Sequence, residues 1–142
     1  MASTPQKYSA KRVSIRDKGG DAMSYWPKSE LFEATDEGRF RRLFVSEERV
    51  RAATLSFAPG DSVDEHLHPG SDEIFYVVSG SGRISVEDEV FDMSAGDFLY
   101  IAAGKWHAVL SCESPEGPFV IVAFVSPHLG DDAEFSGRPL QF

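Results

Sequence analysis

Between Arg39 and Val125 the chain breaks into short runs rich in β-branched and aromatic residues, separated by Gly, Pro, Asp and Ser. The runs are RFRRLFV, RVRAATLSF, EIFYVVSG, RISVED, EVFDMS, DFLYIA, WHAVLSC and FVIVAFV. Each is the length of a strand, and no amphipathic stretch at helical spacing lies between them. Such a series predicts an antiparallel β-sandwich or barrel. Residues 1–38 are polar and broken by Gly19-Gly20, Trp26-Pro27 and Gly38, so they read as an irregular arm. Residues 39–126 form the body. Residues 127–142 read as a turn-rich tail lying over its outside. The segment SGSGR, Ser79 to Arg83, is expected as a tight hairpin turn, and Glu87 to Glu89 as a solvated hairpin tip.

With 142 residues, the chain has the length of one domain. Its 23 acidic and 14 basic residues give a net charge of -9, which opposes binding to nucleic acid or to an anionic membrane surface. No apolar run reaches the ~20 residues of a membrane span. MASTPQKYSAKR lacks the apolar centre of a secretory signal. Cys112 is the single cysteine and forms no internal disulfide, which fits a reducing compartment, so a cytoplasmic protein is expected. The apolar residues Tyr25, Trp26, Leu31 and Phe32 of the arm, together with uncovered sheet edges, suggest a homodimer.

Candidate chemistry concentrates in GDSVDEHLHPGSDEIFYVVSG, Gly60 to Gly80. Side chains alternate along a strand, so His66 and His68 share one face and Leu67 takes the other. Pro69-Gly70-Ser71-Asp72 is turn chemistry that returns Glu73 to the histidines. Barrel closure would add His107, which follows the Gly104 turn. An isolated strand histidine is usually satisfied by packing and hydrogen bonds. Here three of the chain's four histidines and a glutamate fall where one fold would bring them together. Three imidazoles and a carboxylate suit a divalent transition metal, Fe, Mn, Ni, Co, Cu or Zn, better than Ca or Mg.

These residues resemble the cupin family. The first cupin motif is matched by Gly60, five residues, His66-Leu67-His68, four residues, Glu73, six residues and Gly80. The second is similar to Gly96, five residues, Ala102-Ala103-Gly104, two residues and His107, with Ser111 where the family often has asparagine. Ala102 departs from the usual proline, which loosens a turn without removing a ligand. The resemblance covers residues 40 to 126 and implies a jelly-roll β-barrel with a metal held inside it by His66, His68, Glu73 and His107. It also implies an enzyme acting on a small organic substrate. Oxygenase-like chemistry is the first expectation, a non-redox lyase or isomerase the second, and a binding module without turnover the third.

Glu73, Tyr76 and Tyr100 are the candidate proton-transfer groups. Strand parity puts Phe75 and Val77 on the face of Glu73 and turns Tyr76 away. His128 is expected in a surface loop, and Cys112 lacks a partner spaced to activate it as a nucleophile.

Overall fold

The computed structural model describes residues 13–17, 20–27, 40–112, 117–130 and 132–140. The chain divides into two compact units, Met1–Glu33 and Ala34–Phe142. In the first, β1 (Val13–Asp17) pairs antiparallel with β2 (Gly20–Tyr25), where an irregular arm was expected. Leu31 and Phe32, invoked for dimerisation, lie outside the described residues. No described helix is long and apolar enough to cross a membrane.

Among its described residues the second unit contains ten strands: β3 (Phe40–Ser46), β4 (Arg51–Phe57), β5 (Val63–Leu67), β6 (Asp72–Ser79), β7 (Ser81–Val86), β8 (Glu89–Ser94), β9 (Phe98–Ile101), β10 (His107–Cys112), β11 (Phe119–Ser126) and β12 (Glu134–Phe135). They form two five-stranded antiparallel sheets, ordered β3-β4-β11-β6-β9 and β12-β5-β10-β7-β8. The expected jelly roll is present. Among the described residues, however, hydrogen-bond ladders do not close it into a continuous barrel. The two sheets are joined instead by apolar packing between their inner faces. Phe57, Phe75, Val77, Phe119 and Ile121 of the first sheet meet Ile84, Met93 and Val109 of the second in one buried cluster.

The alternation along β6 shows how sequence becomes a face. Glu73, Phe75 and Val77 are buried, whereas Asp72 and Tyr76 are exposed, as parity requires. At its end the expected hairpin is replaced by a corner: Gly80 carries the chain from β6 in one sheet to β7 in the other. Its φ of 75° is disfavoured for residues with a side chain, and an added Cβ would sit 2.3 Å from the Pro118 carbonyl oxygen. The next connection does turn as a hairpin. Val86 pairs with Glu89, and Glu87 takes a φ of 53° at the exposed tip.

Candidate metal centre

His66 lies in β5 and His68 one residue beyond its end, so the period of two aims both rings inward, with centroids 5.2 Å apart. His107 opens β10 directly opposite His66, and their ring centroids lie 4.3 Å apart. Barrel closure is therefore unnecessary for this meeting, because β5 and β10 are neighbours in one sheet. Glu73 approaches from the other sheet. The turn at residues 69–72 carries the chain across, and β6 then points this carboxylate inward between Ile101 and Val125 on the flanking strands. The Gly104 turn ties the two histidine segments together, its N–H donating to the His68 carbonyl at 2.8 Å.

One ligand atom from each of His66, His68, Glu73 and His107 falls within 4.8 Å of the other three. His68, Glu73 and His107 are buried and His66 is half-buried. Nδ1–H of His66 donates to the Asp64 carbonyl at 2.8 Å, and Nδ1–H of His107 to the Lys105 carbonyl at 2.9 Å. A carbonyl only accepts, so each Nδ1 carries a proton and each Nε2 is the atom left for a metal. His68 directs its Nδ1 to the Asp132 carboxylate, Oδ1, at 3.1 Å. All three rings are thus held by Nδ1, the arrangement in which an outer partner fixes ring orientation. The donor set fits a divalent transition ion.

Two of these Nε2 atoms face the same carboxylate oxygen. His107 Nε2 lies 3.0 Å from Glu73 Oε1, and His68 Nε2 lies 3.5 Å from the same oxygen. Burial works against a charged His107. The hydrogen bond and negative charge of Glu73 outweigh it and hold this imidazole above the ordinary histidine value. Burial, joined by the neighbouring charge of His107, pushes His66 below it. The surroundings are aromatic: Phe75 meets His107 edge-on at 6.2 Å, and Phe135 lies 5.3 Å from the His66 ring.

The two phenols lie elsewhere. Tyr76 opposes Phe98 and Ile74 opposes Tyr100 across β6 and β9, on the face of the sheet away from Glu73. Tyr100 is 54% exposed, and its hydroxyl bonds to Asp72, which raises its pKa. Neither tyrosine is placed to move a proton at the four-residue cluster. His128 lies in the loop after β11, as expected, half-buried, where its backbone N–H donates to the Glu48 carbonyl and its Nδ1 to the Glu47 carbonyl. It takes no part in the cluster.

The tail departs most from expectation. Instead of lying over the outside, β12 extends the sheet of the histidines, pairing Glu134 with Leu67 and Phe135 with His66. Asp132 and Phe135 thereby reach the cluster, and the sequence reading missed both. The available signal was the acidic pair before Glu134-Phe135, but two strand residues are too few for a periodicity to register.

Comparison with known proteins agrees with this geometry. The family model described as "Cupin domain" matches residues 53–125. The chain is 34% identical over 55 residues to tetracenomycin polyketide synthase protein TcmJ of Streptomyces glaucescens, covering 39% of this chain and only 37% of that protein. It is 29% identical over 100 residues to the pectin degradation protein KdgF of Dickeya dadantii, covering 70% of this chain and 88% of that protein. The structure of KdgF from Halomonas sp. superposes with a TM-score of 0.60 at 24% identity, over 66% of this chain and 83% of that one. With its fold, its two motifs and its inward-facing ligand set accounted for, the chain belongs to the cupin superfamily.

Proposed function

We propose that this protein is a metal-dependent enzyme acting on a small, oxygen-bearing organic molecule. The observation that carries the reading is the convergence of three imidazoles and one carboxylate within 4.8 Å, on the inner face between two sheets. A bound divalent ion would supply open coordination positions where a substrate oxygen is polarised or dioxygen is activated. His66, His68, Glu73 and His107 would hold it. Phe75 and Phe135 flank the histidines with apolar surface.

The leading reaction class is oxygenase-like. Glu73 and Asp132, the carboxylates nearest the histidines, are engaged in holding imidazoles, and Tyr76 and Tyr100 face away. That leaves little acid–base machinery, which favours a reaction driven by the metal itself. A non-redox lyase or isomerase is the second reading. It draws on the similarity to a pectin degradation protein over 88% of that protein's length, since fragments of pectin are sugar acids with a proton beside a carbonyl.

Elemental analysis of protein purified without added metal, followed by assays of the iron and zinc forms, separates the readings. Oxygen consumption coupled to loss of an enol or diketone supports the first. Turnover of pectin-derived sugar acids by the zinc form without oxygen supports the second. Saturable binding with no turnover of either class would replace both with a binding module.

A further inference from the structure

We infer that Asp132 is a positioning residue for the metal centre, delivered by the C-terminal segment to fix the ring of His68. The inference rests on the metal-site reading above and concerns the one ligand whose orienting group is distant in sequence. His66 and His107 are each held by a carbonyl two residues before them, Asp64 and Lys105, so their orientation is built into their own strands. His68 has no such local partner. It sits one residue past the end of β5, and its Nδ1 meets Asp132 Oδ1 across 64 residues of sequence.

A short but redundant attachment brings Asp132 there. β12 pairs with β5, the Ser136 N–H donates to the Glu65 carbonyl at 3.0 Å, and the Arg138 guanidinium bonds Glu65 Oε1 from Nε at 2.9 Å and Nη2 at 2.8 Å. Arg138 also lies over the Trp106 ring, 5.7 Å from its centroid. These contacts, made by residues 134–138, fasten the segment without drawing on Asp132. Asp132 itself contributes little to that fastening. Its Oδ1 is spent on His68, and Oδ2 is buried without a hydrogen-bond partner among the described residues. A buried, half-satisfied carboxylate costs stability. Its placement is explained by what it does to His68: a carboxylate on Nδ1–H locks the tautomer that leaves Nε2 free and raises the basicity of that nitrogen.

The test uses the full chain and zinc as the probe. Zn²⁺ affinity is measured at one fixed pH by competition with a chromophoric chelator, and the histidine N–H resonances of the zinc-loaded protein are followed by ¹⁵N NMR. Asp132→Ala should weaken zinc binding about 10–100-fold and expose the His68 Nδ1–H to rapid solvent exchange. Asp132→Asn, which still accepts a hydrogen bond, should retain that resonance and most of the affinity. Arg138→Ala loosens the same segment without touching the carboxylate and should weaken binding far less than Asp132→Ala. Wild-type affinity and an unchanged resonance in Asp132→Ala would overturn the inference. So would an Arg138→Ala variant as weak as Asp132→Ala, because docking of the segment would then be responsible. If wild-type protein takes up no zinc or other divalent transition ion, the metal-site reading itself falls and this inference with it.

Discussion

A proton and a metal ion compete for the same atom of His107. Glu73 holds this imidazole above the ordinary histidine value of 6.5 despite its burial, while burial and the charge of His107 hold His66 below it. His107 therefore takes up its proton first as pH falls. Metal affinity should begin to decline above pH 6.5 and continue to fall toward pH 5, with His66 the more persistent ligand. Chelator competition between pH 8 and 5 measures this, and a flat profile would argue against imidazole ligation. The folding contributions of these two groups in the metal-free chain have opposite signs. The His107 contribution, from a raised pKa, is fully present below 6.5 and is lost as pH rises through its folded value. The His66 penalty, from a lowered pKa, grows as pH falls below 6.5. Substitutions should differ accordingly. Alanine at His66, His68 or His107 should each abolish most metal binding, but His107→Ala also leaves the buried Glu73 carboxylate with the longer His68 contact of 3.5 Å. Breaking a buried pair of this kind costs about 3–5 kcal/mol, so chemical denaturation should show His107→Ala much less stable than His66→Ala. Glu73→Gln keeps the volume and loses the charge; metal should bind weakly, and activity should drop steeply. These roles were open to reading because His66 and Glu73 sit on strands, and His68, one residue past β5, keeps the period of two. Asp132 was not, because its partner lies in another part of the chain.

The strands were readable for the same reason and the connections were not. EIFYVVSG announces β6, and burial of Glu73, Phe75 and Val77 follows from alternation alone. Whether Gly80 then makes a hairpin or a corner depends on which sheet receives β7, a non-local outcome that no short pattern encodes. The two connections differ in what they tolerate. Gly80→Ala meets backbone at 2.3 and 2.9 Å and retains a φ of 75°, so both sterics and conformation oppose it. Strain alone is worth about 1–3 kcal/mol, and the clash with Pro118 and Phe119 adds to it. Gly70→Ala meets only Leu129 Cδ1, the end of an exposed flexible side chain, at 2.7 Å. A urea series should show a large fall in midpoint for Gly80→Ala and a small one for Gly70→Ala. Equal effects would mean that the corner is not held as tightly as its packing indicates.

The two sheets are held by apolar contacts between their inner faces, and among the described residues no backbone ladder joins them; the His107–Glu73 hydrogen bond crosses between them at the cluster. Their outer surface carries a second feature. Tyr76, Phe98 and Tyr100 stand exposed beside β9, the last strand of its sheet among the described residues, a surface that the homodimer expected from the sequence would cover. Light scattering tests it, and a mass near 15.7 kDa at micromolar concentration would overturn it. At the centre, the composition of the ligand set matters more than its count. His66, His68 and His107 come from one sheet and Glu73 from the other, so a bound ion would bridge layers that otherwise adhere through apolar packing and the His107–Glu73 contact. Binding to the folded state alone stabilises by mass action, about 2.7 kcal/mol at a free concentration one hundred times Kd. For a unit of this size that corresponds to a rise in Tm of roughly 10 °C. Zinc should raise Tm by that order and a chelator should return it to the metal-free value. His66→Ala supplies the control: half-buried and outside the Glu73 ion pair, it should melt near the metal-free wild type and gain little from zinc. If zinc instead stabilises His66→Ala as much as wild type, the ion binds elsewhere and does not join the sheets at this centre.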